Sequence, residues 1–183
     1  MNSRAAVSVM GRKYLEVFGA SPLPTFNEYL ATGREPDRLA GLGYRRASDG
    51  GVFLESYLDA PVEVEVGEAL GRRVARCDIV EIGNFAADNA FVMLELWGAA
   101  ANDLAGSSEI AVATLTAPLR RIFTRIGLPF VPICPARAER LDRSAHEWGS
   151  YYRQDPQVCA GIIADGQAAI ARWHSRRAPR AAA

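Results

Sequence analysis

The sequence is short of lysine: Lys13 is the only one, and its other fixed cations are arginines. It has no charge bias either, with 21 basic and 21 acidic residues and a formal net charge of zero, so nothing in its charge points to a polyanionic partner such as nucleic acid. Histidine is scarce, with only His146 and His174, and no cysteine–histidine spacing suits zinc, so neither a metal site nor a tightly bound cofactor is expected. The three cysteines, Cys77, Cys134 and Cys159, are odd in number and far apart. That excludes a disulfide framework and points to a reducing, cytoplasmic setting. No run of about 18 apolar residues is present, and no apolar core follows Arg4, Arg12 and Lys13, so neither a membrane span nor a signal peptide is expected. A Walker loop, a dinucleotide fingerprint and a nucleophile elbow are all missing; Gly41-Leu42-Gly43 is too little to stand for any of them.

What is there is ordinary globular material, 49% hydrophobic and 23% charged over 183 residues, enough to bury a core. One domain over residues 1–175 is expected, with an Arg/Ala/Pro-rich tail from Arg176 to Ala183 left disordered. Ser3 caps a first helix from about Arg4 to Phe18, and Gly19 ends it. Ser21–Tyr29, with two prolines, reads as a loop or edge, and Arg38–Ala47 as a strand. Val52–Leu58 makes a short helical turn before Pro61, the acids up to Glu65 form a charged face, and Gly67–Gly71 is a connector. From Arg73 onward strands and helices alternate. They are a strand to Ile82, a helix from about Asn89 to Ala105, a strand Glu109–Leu115, and a helix after Thr116. Leu119, Ile122, Phe123 and Ile126 recur at helical spacing there until Gly127. Short strands at Pro129–Cys134 and Gln157–Ile163 and a last helix at Asp165–Trp173 complete an α/β (α+β) pattern with a mixed sheet. Cys77 and Cys134 read as small buried hydrophobes.

The stretch Cys77–Ala86 organises the rest. It reads as a buried strand opening into a short polar loop with a helix directly after it, which brings free backbone N–H groups beside the strand end. Glu81 is the odd residue in that apolar run. Such an acid either pairs with an arginine, Arg45 or Arg76, or acts as a base with its pKa raised by burial. Gly83 and Asn84 either present a backbone N–H and a side-chain amide to a reacting carbonyl or form a bulged turn. Glu55 and Glu63 either hold an ammonium or are surface charge. Tyr151 or Tyr152 either gives a proton to a leaving thiolate or packs.

Three blocks, Val52-Phe53-Leu54-Glu55-Ser56-Tyr57-Leu58-Asp59-Ala60-Pro61-Val62-Glu63, Val80-Glu81-Ile82-Gly83-Asn84-Phe85-Ala86 and Trp148-Gly149-Ser150-Tyr151-Tyr152, together resemble the thermostable hemolysin family. The resemblance implies a single GNAT-like (N-acyltransferase superfamily) domain with a mixed, mostly antiparallel central sheet flanked by helices. Residues 111–128 resemble that superfamily's strand and helix, and the glutamate after a strand is similar to acyl-homoserine-lactone synthases. For acyl-transfer chemistry Glu81 and Tyr151 are the expected catalytic residues, and the expected substrate site includes Glu55, Tyr57, Glu63, Gly83, Asn84, Phe85, Ala86 and Trp148. The chain departs from the family at Ser56, where a glutamine is usual. It also departs from acetyltransferases at Ala86–Ala90, which has neither the glycines nor the arginine of a phosphate loop.

The expected function is transfer of an acyl group from a thioester, on acyl carrier protein or CoA, to a small amine or amino acid in a biosynthetic pathway. The acidic loop favours the carrier protein, and neutral net charge weighs against aminoacyl-tRNA. A membrane-lytic protein, the family name taken literally, lacks support from any basic amphipathic helix. A non-catalytic scaffold that keeps the fold is the third reading.

Overall fold

The computed structural model describes residues 3–34, 38–141 and 146–177. Helix α1 (Ser3–Phe18) turns Ala6, Val9, Met10 and Tyr14 inward, three to four residues apart. The chain then forms β1 (Glu28–Arg34) and β2 (Arg38–Arg46), a 3-10 turn (Phe53–Tyr57) and α2 (Val62–Leu70). Next come β3 (Ile79–Ala87), α3 (Ala90–Leu104), β4 (Ile110–Leu115), α4 (Ala117–Ile126) and β5 (Val131–Pro135). Strand β6 (Gln157–Ile162) runs straight into α5 (Ile163–Arg177).

The strands form one six-stranded sheet in the order β1-β2-β3-β4-β6-β5. Every pairing is antiparallel except β3 with β4, which α3 joins as a crossover. Alternation along the strands sends Val80 and Ile82 to the face covered by α3, α4 and α5, and Ile79, Ile110 and Val112 to the face covered by the 3-10 turn and α2. Helix α1 packs on that second face at β2 and β3, where Gly41 leaves room: a Cβ there would stand 2.6 Å from Ala6 Cα. Strand β5 carries Pro132 and Pro135 and sits at the edge, where a missing N–H costs least.

Strand β1 begins in the last two residues of the stretch read as loop or edge, and it forms one edge of the sheet. Three expectations are corrected. Helix α2 occupies the end of the acidic run, with Glu63 and Glu65, and most of the supposed connector. Its Val/Glu alternation has a period of two and hides a helix that Pro61 opens and the left-handed Gly71 closes. The polar loop after Ile82 is strand: β3 continues to Ala87. Cys77 is exposed in a turn before β3, its Sγ 3.7 Å from an Asp78 carboxylate oxygen, and Cys134 is only partly buried. Helix α5 takes in Arg176 and Arg177; the rest of the expected tail lies outside the described residues.

Candidate active site

The site begins where β3 and β4 stop pairing. Their parallel register runs from Ile79↔Ile110 to Ile82↔Ala113 and ends there, while β3 goes on beside β2 and β4 beside β6. A bulge lies at the parting. Two steps along β2, Gly43 to Gly41, match three along β3, Gly83 to Ala86, and Asn84 takes the extra place at φ 49°. Asparagine tolerates that left-handed conformation better than other residues with a Cβ. The bulge keeps Ala86 on the α1 face and turns Phe85 toward α3, against Trp97 with ring centroids 5.4 Å apart.

The gap holds a pocket of about 570 Å³ lined from both faces of the sheet. On the α3–α4 side its wall is apolar, with Phe85, Met93, Trp97, Leu115, Leu119 and Ile122. On the other side stand Glu81 and an aromatic wall, Tyr14, Phe18, Phe53, Tyr57, Trp148 and Tyr151. Rings in that wall meet tilted, as Phe53–Trp148 at 5.9 Å and Trp148–Tyr151 at 5.4 Å do, edge to face, as Phe18–Tyr151 at 5.2 Å does, or stacked, as Tyr14–Tyr151 at 6.4 Å does. Phe26 closes the wall against the sheet, where Gly43 and Gly83 leave space; a Cβ on either would collide with its ring.

Glu81 is 3% exposed, and both of its oxygens are held. Oε2 accepts from Phe53 N and Oε1 from Leu54 N, each at 2.9 Å, so two successive amides of the 3-10 turn grip the carboxylate. Arg45 Nε lies 3.1 Å from Oε2, close enough to pair by charge though its N–H is not aimed along the line. Arg45 is itself fixed, its guanidinium 4.4 Å above the Phe26 ring and hydrogen-bonded to Thr25 O. Burial pushes the Glu81 carboxyl pKa up, against the opposing pull of Phe53 N–H, Arg45 and Leu54 N–H. Glu81 thus pairs with an arginine, the first of the two alternatives, and does so beside a pocket.

Glu55 and Glu63 are not in the lining. Arg76 bridges them, with Nη1 2.6 Å from Glu55 Oε1 and 2.8 Å from Glu63 Oε2. Glu55 also accepts from Val52 N and Val62 N, so it ties the 3-10 turn to the start of α2. It therefore supports the very amides that grip Glu81. Ser56 is exposed and outside the lining, so the departure from the family's glutamine does not touch the pocket.

Of the other expected residues, Tyr57, Gly83, Asn84, Phe85, Ala86, Trp148 and Tyr151 all line the pocket. Tyr57 Oη is 2.7 Å from Tyr152 Oη, and burial raises its pKa. Tyr151 donates to Thr114 O at 3.3 Å; burial lifts its phenol well above 10, which suits a hydrogen-bond donor rather than a proton donor. Asn84 is 6% exposed, and its Nδ2 has no partner among the described residues. Lys13, Tyr14, Phe18, Phe26, Met93 and Trp97 also line it and escaped the sequence reading. Their one local signal was Lys13, a lone lysine among arginines.

At the start of α3 the anion site is already filled. Asn89 Oδ1 accepts from Phe91 N and Val92 N, and Asp88 accepts from Leu39 N and Arg12. Burial raises the Asp88 pKa, but these donors and Lys13 outweigh it and hold the carboxyl below its usual value. No cluster of three metal-ligating side chains occurs among the described residues.

The model of the thermostable hemolysin family matches residues 2–167. The chain belongs to that family. This thermostable hemolysin family member has the GNAT-like fold its blocks implied. It is similar to the solved structure of TofI in a ternary complex with an inhibitor and MTA, at 18% identity and TM-score 0.56, over 93% of this chain and 91% of that one. Apo TofI aligns at 16% identity with the same score and coverage. FeeM, an N-acyl amino acid synthase from uncultured soil microbes, aligns at 14% identity and TM-score 0.52, over 94% of this chain and 87% of that one. No curated protein matches the sequence. Among the described residues of the family member, no helix is long and apolar enough to cross a membrane.

Proposed function

We propose that the chain is an N-acyltransferase that moves an acyl group from a thioester to a small amine. The observation that carries this is the parting of β3 and β4, which joins an apolar pocket on one face of the sheet to a buried carboxylate on the other. The likeness to FeeM, an N-acyl amino acid synthase, supports the same chemistry. In this reading the acyl chain lies between α3 and α4 and the amine meets Glu81.

The chemistry follows from those places. The acceptor's ammonium gives one proton to Glu81, directly or through a water, and a raised carboxyl pKa makes Glu81 the better base. The freed nitrogen attacks the thioester carbonyl, and an N–C bond forms. The oxyanion accepts from the unpartnered Asn84 amide and the backbone N–H groups at the Gly83–Asn84 bulge. When the tetrahedral adduct collapses, the C–S bond breaks and the second nitrogen proton ends on the thiolate sulfur. An amide and a free thiol leave. Tyr151 serves this site as a hydrogen-bond donor and a wall.

The donor we favour is acyl carrier protein rather than CoA. Asn89 and Asp88 occupy the helix end at which a diphosphate would need backbone amides and positive potential.

Glu81→Gln tests the reading. Turnover of an acyl thioester with an amine panel should fall by about 10²–10⁴-fold, and the acid limb of the wild-type kcat/KM profile should disappear. That limb should lie above the ordinary carboxylate range, with activity rising as Glu81 loses its proton. Gln offers one acceptor to two amides, so circular dichroism must show a folded variant. Undiminished turnover by a folded Glu81→Gln protein would refute the proposal.

A further inference from the structure

The acceptor's own chemistry can be taken further, resting on the acyl-transfer reading. We infer that the acceptor is an arylalkylamine: a primary amine on an aromatic body, with no carboxylate beside it. Three observations converge on this class.

The first is the wall. Around Glu81 the pocket presents Tyr14, Phe18, Phe53, Tyr57, Trp148 and Tyr151, and Phe26 closes it. Ring faces and edges receive an aromatic body by stacking, and they also attract an ammonium.

The second is the charge. Among the described residues the charged side chains in the lining are Glu81 and Glu147 against Lys13 alone. Lys13 is already engaged, with Nζ 2.9 Å from Glu16 Oε2 and 3.8 Å from Asp88 Oδ1. Arg45, the cation nearest Glu81, is held by Glu81, Thr25 and the Phe26 ring. An ammonium finds a carboxylate here; a carboxylate finds no uncommitted cation among the described residues.

The third is the helix end. The first amides of α3 are the other place at which a carboxylate would be welcome, and the Asn89 side chain takes two of them. An α-amino acid would bring its carboxylate into the site with its ammonium and leave it without a partner. An arylalkylamine brings only the group the site can receive. The transfer is the one described above, with the amine nitrogen acylated, one proton going to Glu81 and one to the departing sulfur.

The test uses the full chain with two probes for the donor, octanoyl carrier protein and octanoyl-CoA. Acceptors come in matched sets: phenethylamine, phenylalanine and phenylalaninamide, then tryptamine and tryptophan. Amide formation is followed by mass spectrometry. The amines should exceed the amino acids in kcat/KM by at least about a hundredfold, as a buried unpaired charge demands. Phenylalaninamide, similar in size but lacking the negative charge, should recover most of that factor. Amino acids acylated as well as or better than the amines would overturn the inference and leave the acyl-transfer reading standing. No amide from any pair would overturn that reading instead. A calorimetric titration without donor then decides the inference alone: tryptamine should bind at least about tenfold tighter than tryptophan, and equal binding would refute it.

Discussion

At the scale of single residues, the arrangement turns on how carboxylates are held. Glu81 is gripped by two amides, and those amides stay in place because Glu55 binds Val52 N, Val62 N and Arg76 at once. Arg76 also donates to Ala47 O and Gly50 O. Arg76→Ala would remove these bonds and leave Glu55 and Glu63 facing each other, so it should cost about 2–3 kcal/mol. Chemical denaturation checks that figure. The pH dependence carries its own sign. The hydrogen bond from Arg76 holds the Glu55 carboxyl below its ordinary value, with the amides of Val62 and Val52 assisting against burial. Its stability contribution is therefore fully present above the unfolded carboxylate pKa, about 4.3, and is lost as pH falls through the lower folded value. Arg76→Ala should flatten that acid dependence. Glu81 has the opposite sign, since burial raises its pKa: its ionisation costs stability as pH rises from the unfolded toward the folded value.

At the scale of elements, two close approaches set the pocket's walls. Helix α1 comes down on β2 at Gly41, and Phe26 lies on Gly43 and Gly83. Gly41→Ala would set a Cβ against the backbone of Ala6, which cannot rotate away, so α1 must lift. The expected loss is about 1–3 kcal/mol, seen as a lower Tm, together with weaker binding of acceptor, because α1 carries Tyr14 and Phe18 into the aromatic wall. The elements also show where sequence patterns mislead. Helix α4 was legible because its apolar residues keep helical spacing and Gly127 closes it at φ 79°. Helix α2 was not, because alternating valine and glutamate mimic a strand; Pro61 and the grip of Glu55 and Arg76 settle it as a helix. The extension of β3 was missed because Gly83 and Asn84 are turn residues in isolation, and only pairing with β2 makes them a bulge.

At the scale of the whole molecule, the pocket crosses the sheet and so divides the work between its faces. Trp97 stands on the apolar side between Phe85 and Phe123, at centroid distances of 5.4 Å and 5.1 Å. Trp97→Ala should lengthen that half and shift the preferred acyl chain to longer members of a C4–C12 thioester series, an effect visible in the product distribution. Such a truncation also costs about 3–5 kcal/mol of stability, so the assay belongs well below the variant's Tm. Unchanged chain preference in the folded variant would place the acyl group elsewhere.

By itself the sequence determined the alternation of elements, the burial of Glu81 in β3 and its two available roles, because local spacing and hydrophobic pattern carry that information. It also bounded what the protein lacks. Only the tertiary structure decided that Arg45 rather than Arg76 stands by Glu81, that Glu55 and Glu63 turn to Arg76, and that Tyr14, Phe18 and Phe26 meet Trp148 around one cavity. Arg45 meets Glu81 because the antiparallel register of β2 and β3 sets them opposite, and the cavity opens where β3 carries one extra residue and parts from β4. No local pattern encodes that event, since it exists only in the register between strands.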